Sequence, residues 1–88
     1  MPKSTRRAKE KEKEAVELDW KKIGRRIREL RGFDVTQEEF AQRIAVSQSY
    51  LSAMERGEKE AGAAILLRIG REFEKSLEWL LTGEERRG

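Results

Sequence analysis

Residues 36–59 read TQEEFAQRIAVSQSYLSAMERGEK, and this stretch decides the fold. Thr36 and Glu39 have the spacing of a capping box, in which each side chain accepts a hydrogen bond from the other residue's backbone N–H. A helix is therefore predicted to begin at Gln37. Its apolar pattern stops at Ala45, where the chain must turn.

A second helix start follows the first at once. Ser47 is a good N-cap residue, and Val46 with Leu51 has the spacing of a hydrophobic staple across a helix N-terminus. The signal predicts a helix over residues 47–56, ended by Gly57, which suits a helix C-terminus. Two short helices separated by a tight turn are therefore expected.

The second helix has an unusual outer edge. Tyr50, Leu51 and Met54 share one side. The opposite stripe at helical spacing carries small, uncharged residues and ends in Arg56: Gln48, Ser49, Ser52, Ala53 and Arg56. Charged residues make up 42% of the chain, so a merely solvated edge is expected to carry Lys and Glu. A solvated edge is the alternative, but contact with DNA base edges better explains this composition.

The remaining chain predicts further helices. Trp20, Ile23, Ile27 and Leu30 form one apolar stripe, either within one long helix from about Ala8 or within a helix capped by Asp19, and we favour a break near Asp19. Residues 63–73 form an amphipathic helix, and Ser76 can cap a last one that ends at Gly83, with Leu77, Leu80 and Leu81 inward. These patterns predict an all-α domain over residues 19–88, preceded by a basic arm over residues 1–18.

Composition narrows the function. Residues 1–31 carry a net charge of +6 and residues 32–88 one of −3, an asymmetry that fits a polyanion at one end of the molecule or a solvated basic tail. The chain has no histidine and no cysteine, so we expect no enzyme activity, no metal site and no cofactor. The longest apolar run, residues 63–67, is too short to cross a bilayer, and a cytoplasmic protein is expected.

Three segments together resemble the Cro/cI-type, or XRE-type, helix-turn-helix family of phage and bacterial repressors: IGRRIRELR from Ile23, the stretch quoted above, and SLEWLLTGE from Ser76. The resemblance implies a compact five-helix, lambda-repressor-like fold with a basic, partly helical N-terminal arm. It also implies a sequence-specific regulator of transcription, a repressor that binds a palindromic operator in double-stranded DNA as a homodimer. An antitoxin that uses this fold to bind both DNA and a toxin protein is the alternative.

The resemblance also implies roles for individual residues. The second helix lies in the major groove, with base contacts from Gln48, Ser49, Ser52 and Ala53. Phosphate contacts are expected from the helix pair, the segment after it and the arm: Gln37, Arg43, Tyr50, Arg56, Lys59, Lys3, Arg6 and Arg7. A carboxylate near DNA would repel it, so Glu55 is expected to turn inward and pair with Arg31 or Arg28, of which Arg31 is favoured. Trp79 and Leu81 are candidates for the dimer contact.

Two positions depart from the family pattern. Ala45 stands where the turn normally has glycine, and Ala61 stands where a proline usually follows the second helix. A left-handed Ala45 would cost about 1 kcal/mol. These departures leave the motif in place and put the pose of the second helix in question.

Overall fold

A computed structural model describes residues 17–85, and within that range the chain forms five helices and no strand. We label them α1 (Trp20–Arg31), α2 (Gln37–Arg43), α3 (Gln48–Glu55), α4 (Ala63–Phe73) and α5 (Leu77–Thr82). The predicted all-α fold is confirmed. None of these helices is long and apolar enough to span a membrane.

Helix α1 begins where the aspartate cap was predicted. The Asp19 carboxylate accepts hydrogen bonds from the backbone N–H groups of Lys21 and Lys22, at 3.1 and 3.2 Å. These donors have no partner within a helix, so the cap satisfies them. Residues 17–19 are not helical, which rules out a single helix running from Ala8. The arm, apart from residues 17 and 18, lies outside the described residues.

The turn between α2 and α3 follows the sequence signals closely. Thr36 and Glu39 form both halves of the capping box. Ala45 has a φ of 62°, the left-handed conformation that glycine normally takes at this position. The Val46 N–H donates to the Ala41 carbonyl at 2.9 Å and closes the end of α2. The left-handed Ala45 is thus the residue that lets the chain reverse into α3.

Helix α3 has defined signals at both ends. The Ser47 hydroxyl accepts the Tyr50 N–H at 3.1 Å, as expected of an N-cap. At the other end Gly57 has a φ of 78°, and the Glu58 N–H donates to the Ala53 carbonyl at 2.9 Å. This is the Schellman arrangement that glycine permits. The helix agrees with the predicted 47–56 once its two cap residues are counted.

The last two helices confirm the predicted bounds and correct one side chain. Helix α4 spans residues 63–73 as predicted, and the Ser76 hydroxyl caps α5 by accepting the Trp79 N–H at 3.0 Å. Leu80 is fully buried and Leu81 half-buried, but Leu77 is 41% exposed, so its predicted inward position is wrong. Leu77 is the first residue of a six-residue helix, and so short a helix turns only Leu80 fully into the core.

A single apolar core joins the five helices. Helix α1 packs against α3 and α5, α2 against α3, and α4 against α5. Each fully buried large side chain contributes about 1.5–3 kcal/mol to folding. The core consists of Ile23, Ile27, Phe40, Ala41, Ile44, Leu51, Met54, Ala61, Leu66, Ile69 and Leu80.

Gly24 sets how closely α1 approaches α3. A Cβ atom at this position would lie 2.7 Å from the Glu55 carbonyl oxygen and closer still to that of Met54. Both obstacles are backbone atoms, which cannot rotate away as a side chain can. Any other residue at this position would push the two helices apart, so Gly24 fixes the depth at which α3 sits on the domain.

Two arginines donate hydrogen bonds to backbone carbonyls near the ends of other helices. The Arg68 guanidinium of α4 donates to the Ile44 carbonyl at 3.2 Å, directly before the left-handed Ala45. The Arg26 guanidinium of α1 donates to the Leu80 carbonyl of α5 at 2.9 Å. Carbonyls at helix ends lack helical partners, so these bonds supply the missing donors and connect neighbouring helices.

Replacing Ala45 with glycine should stabilise the protein by about 1 kcal/mol, because glycine adopts a positive φ without the clash of a Cβ atom. Ala45 is exposed, so no packing is lost. The control is Ala64→Gly, an exposed position in the first turn of α4, where glycine relieves no strain and should destabilise the protein slightly. Urea unfolding of both variants tests the pair, and a loss of stability in Ala45→Gly would contradict the assigned strain.

Candidate nucleic-acid interface

The outer edge of α3 is open to solvent. Gln48 and Ser49 are exposed, and Ser52 and Ala53, one turn further on, are half-buried. The opposite side of the helix carries Leu51 in the core. The residues predicted to contact bases therefore share one outward edge, and none of them lies in the interior.

A buried carboxylate behind that edge holds three elements together. Glu55 accepts two hydrogen bonds from the Arg31 guanidinium, from Nε at 2.8 Å and from Nη2 at 3.0 Å. It also accepts one from the Gln37 side-chain amide at 2.9 Å. The exposed fraction is 3% for the Glu55 side chain and 15% for that of Arg31. The predicted inward pairing of Glu55 with Arg31 is what the structure shows.

The same arginine reaches a fourth group. Its Nη1 atom donates to the Val35 carbonyl at 3.1 Å, so Arg31 also fixes the loop that leads into α2. The hydrogen bonds that Arg31 donates to Glu55 raise the pKa of Arg31 above its ordinary value. Desolvation by burial acts in the opposite direction, and the attraction of the opposite charges adds to the increase. Arg31 is therefore a charged partner for Glu55 at neutral pH.

Gln37 has one amide hydrogen engaged by Glu55, which fixes the orientation of its side chain at the start of α2. The residue is half-buried and lies in the same cleft as Gln48. Its predicted phosphate contact would use the remaining amide hydrogen, next to the free backbone N–H groups of the helix end. Sequence reasoning placed Gln37 at this end but did not find its bond to Glu55.

Arg56 lies at the end of α3 and is exposed. Its guanidinium donates to the Ser52 hydroxyl oxygen and, at 3.0 Å, to the Glu58 carboxylate. The hydrogen bond and the charge of Glu58 raise the pKa of Arg56, while the same contacts lower the pKa of Glu58. Exposed pairs of this kind are screened by solvent and contribute little to stability, so a phosphate can replace Glu58 at little cost.

The other predicted phosphate contacts differ in their surroundings. Arg43 forms an ion pair with Glu72 of α4 at 3.4 Å, and the Tyr50 hydroxyl donates to the Glu60 carbonyl at 2.8 Å. The sequence did not predict these two contacts, and DNA would have to displace both of them. Lys59 is exposed in the segment after α3. Lys3, Arg6 and Arg7 lie outside the described residues.

The candidates for the dimer contact lie on α5. Trp79 and Leu81 are half-buried and pack against the core, and the Lys75 ammonium lies 4.8 Å from the centre of a Trp79 ring. Each side chain thus shares its surface between the core and solvent. Within residues 17–85 no group of three or more acidic, histidine or cysteine side chains could hold a metal ion.

Sequence reasoning missed one part of this surface. A cleft beside the start of α3 is lined by Gln48 and Gln37 and also by Arg25, Arg28 and Phe33. The three-residue spacing of Arg25 and Arg28 on an exposed helix side was a readable signal. The exposure of Phe33 was not readable, because the packing of the helices around a loop decides which of its side chains are covered.

Comparisons with known proteins agree with this geometry. A sequence model described as helix-turn-helix matches residues 25–80. The P22 c2 repressor, solved in complex with a synthetic operator, is 28% identical, with a TM-score of 0.66 over 78% of this chain and 100% of that one. The restriction-modification controller protein C.AhdI from Aeromonas hydrophila is also 28% identical, with a TM-score of 0.64 over 72% of this chain and 97% of that one.

The clp gene regulator ClgR from Corynebacterium glutamicum is 30% identical, with a TM-score of 0.64 over 75% of this chain and 71% of that one. No protein with a curated function matches the sequence. The helical fold is thus shared with solved structures, and the sequence pattern of the family covers most of the five-helix domain.

Replacing Glu55 with glutamine should destabilise the protein by about 3 kcal/mol, because Arg31 would be left as a largely buried charge without its counter-ion. The matched control is Glu72→Gln, which breaks the exposed pair with Arg43 and should cost less than about 1 kcal/mol. Denaturant unfolding measures both. Equal losses for the two variants would show that the buried network does not hold the domain together.

Proposed function

The chain belongs to the helix-turn-helix family, and on that premise we propose that it is a transcriptional repressor that binds a palindromic DNA operator as a homodimer. The observation that carries this proposal is the outer edge of α3, which is uncharged, exposed at Gln48 and Ser49, and backed by a buried ionic network. A helix fits the major groove of B-DNA. Uncharged side chains on its outer edge can approach base edges, because they neither repel the phosphates nor form ion pairs with them.

Base reading is assigned to four side chains on that edge. The Gln48 amide matches the donor and acceptor pair of adenine N6 and N7, and the Ala53 methyl group suits contact with a thymine methyl group. Ser49 and Ser52 can donate or accept at a base edge. Ser52 already accepts a hydrogen bond from Arg56, so its own hydroxyl hydrogen is the one that would reach DNA.

Phosphate contacts position α3 in the groove. Gln37, oriented by Glu55, lies at the start of α2, where backbone N–H groups and the helix dipole favour an anion. Arg56 and Lys59 flank the far end of α3 and supply positive charge there. Contacts at both ends would fix how deeply the helix enters the groove. Arg43 and Tyr50 stay secondary candidates because each has a partner within the protein.

Dimerisation follows from the size of the reading surface. One eight-residue helix reaches only a few base pairs, and a site that short recurs throughout any genome. Two copies related by a two-fold axis would read two half-sites about one DNA turn apart. We place the dimer contact on α5 at Trp79 and Leu81, where the exposed Leu77 of the same helix adds apolar surface.

Selection from a random-sequence DNA library, read out by sequencing, tests the proposal. The expected product is an inverted repeat whose half-site centres lie about one helical turn apart, bound by two protomers. Enrichment of a single unrepeated site would contradict the dimer. A failure to enrich any sequence would contradict sequence-specific binding.

On the selected operator, Gln48→Ala should relax the preference at one base pair in each half-site by about 1–3 kcal/mol, because one bidentate contact is lost. The control is Lys59→Ala, which should weaken binding to every sequence alike and lower the salt slope by about one. Titrations of matched and single-mismatch duplexes at several salt concentrations separate the two. Uniform losses on all duplexes for Gln48→Ala would refute its base contact.

A further inference from the structure

We propose that Phe33, Arg25 and Arg28 form a second DNA contact that holds the sugar-phosphate backbone beside the recognition helix. The inference rests on the proposed function and deepens it, because it assigns the DNA backbone to a surface outside the α2–α3 pair. Three observations carry it: the exposure of Phe33, its position in the cleft that contains Gln48, and the charge around it.

Phe33 is exposed to an unusual degree. It lies in the loop between α1 and α2, directly after Gly32, whose φ of 68° turns the chain. Its relative exposure is 106%, whereas the other exposed large apolar residues, Leu18, Leu67 and Leu77, reach only 39–41%. Single exposed apolar side chains are common on proteins. A phenylalanine ring with this exposure contributes nothing to the core, so any role of Phe33 lies at the surface.

The position of Phe33 links it to the proposed interface. Phe33, Arg25 and Arg28 line the same cleft as Gln37 and Gln48. Gln48 is assigned to a base edge and Gln37 to a phosphate, so a duplex seated on both brings its backbone to this cleft. The ring and the two arginines line this cleft from α1 and from the loop that follows it.

The charge of the cleft fits the same occupant. Arg25 and Arg28 are both exposed and lie one turn apart on α1. Arg31, the next arginine along the helix, is bound to Glu55 and leaves those two as the available cations. Glu29 also lines the cleft and offsets one of them, so the lining keeps a positive balance, while the exposed Asp34 next to Phe33 is not part of that lining.

Duplex DNA offers what this surface can bind. Its backbone alternates charged phosphates with deoxyribose rings, whose C–H groups are apolar. Guanidinium groups form charge-assisted hydrogen bonds with phosphate oxygens, and an aromatic ring can pack on the sugar between them. An exposed phenylalanine beside two exposed arginines therefore matches the backbone of a polyanion better than it matches the surface of an acidic protein, which lacks that alternation.

The test uses the full chain and the operator selected as described above. Phe33→Ser should weaken binding about tenfold while the salt slope stays unchanged, because an apolar contact releases no counterions. Arg28→Gln should weaken binding and lower the salt slope by about one. Phe33→Tyr, which keeps the ring, is the matched control and should bind like the parent protein. In hydroxyl-radical footprints of the Phe33→Ser variant, protection should be lost only at sugars that lie outside the base-contacted positions.

The outcomes separate this inference from the function on which it rests. If the parent protein selects and binds an operator while Phe33→Ser binds equally well with the same footprint, the second contact is refuted and the proposed function stands. If Phe33→Ser changes the protomer number of the free protein but leaves its operator affinity and footprint unchanged, the ring serves a protein contact and the inference is likewise overturned. If the parent protein binds no duplex, both fail.

Discussion

The buried carboxylate of Glu55 is the constraint on which the rest of the surface depends. It lies in the helix proposed to enter the groove, yet its charge is satisfied by Arg31 of α1 and by Gln37 of α2. A buried carboxylate without such partners would cost several kcal/mol. The pairing therefore fixes the relative positions of three helices and removes a negative charge from the side that would face phosphates.

Backbone geometry supports the same arrangement. Gly24 allows α1 to approach the end of α3 more closely than any side chain would permit, and the left-handed Ala45 turns the chain between α2 and α3. Arg68 bonds the carbonyl just before that turn. The pose of α3 is thus determined by one close approach, one strained turn and one ionic network, each contributed by a different part of the chain.

The resulting surface combines exposed side chains with side chains that are held by hydrogen bonds within the protein. Gln48 and Ser49 are exposed on α3 and can face base edges, while Gln37 is held in place by its bond to Glu55. Arg56 is held more weakly, by Glu58 at the surface, so it can exchange one anion for another. A helix fixed in its pose, with an exchangeable charge at its end, suits a protein that binds many DNA sites weakly and a few tightly.

The sequence by itself determined the local structure, because caps, staples and left-handed turns involve residues only a few positions apart. The Thr36 capping box, the Asp19 and Ser47 caps and the bounds of α4 were all readable, as was the outward edge at Gln48. The tertiary structure alone decided which distant groups meet: the bond from Gln37 to Glu55, the pairing of Arg43 with Glu72, the bond of Tyr50 to the backbone and the exposure of Leu77 and Phe33. These depend on how whole helices pack in space, and periodicity along one helix contains no information about the helix that will lie beside it.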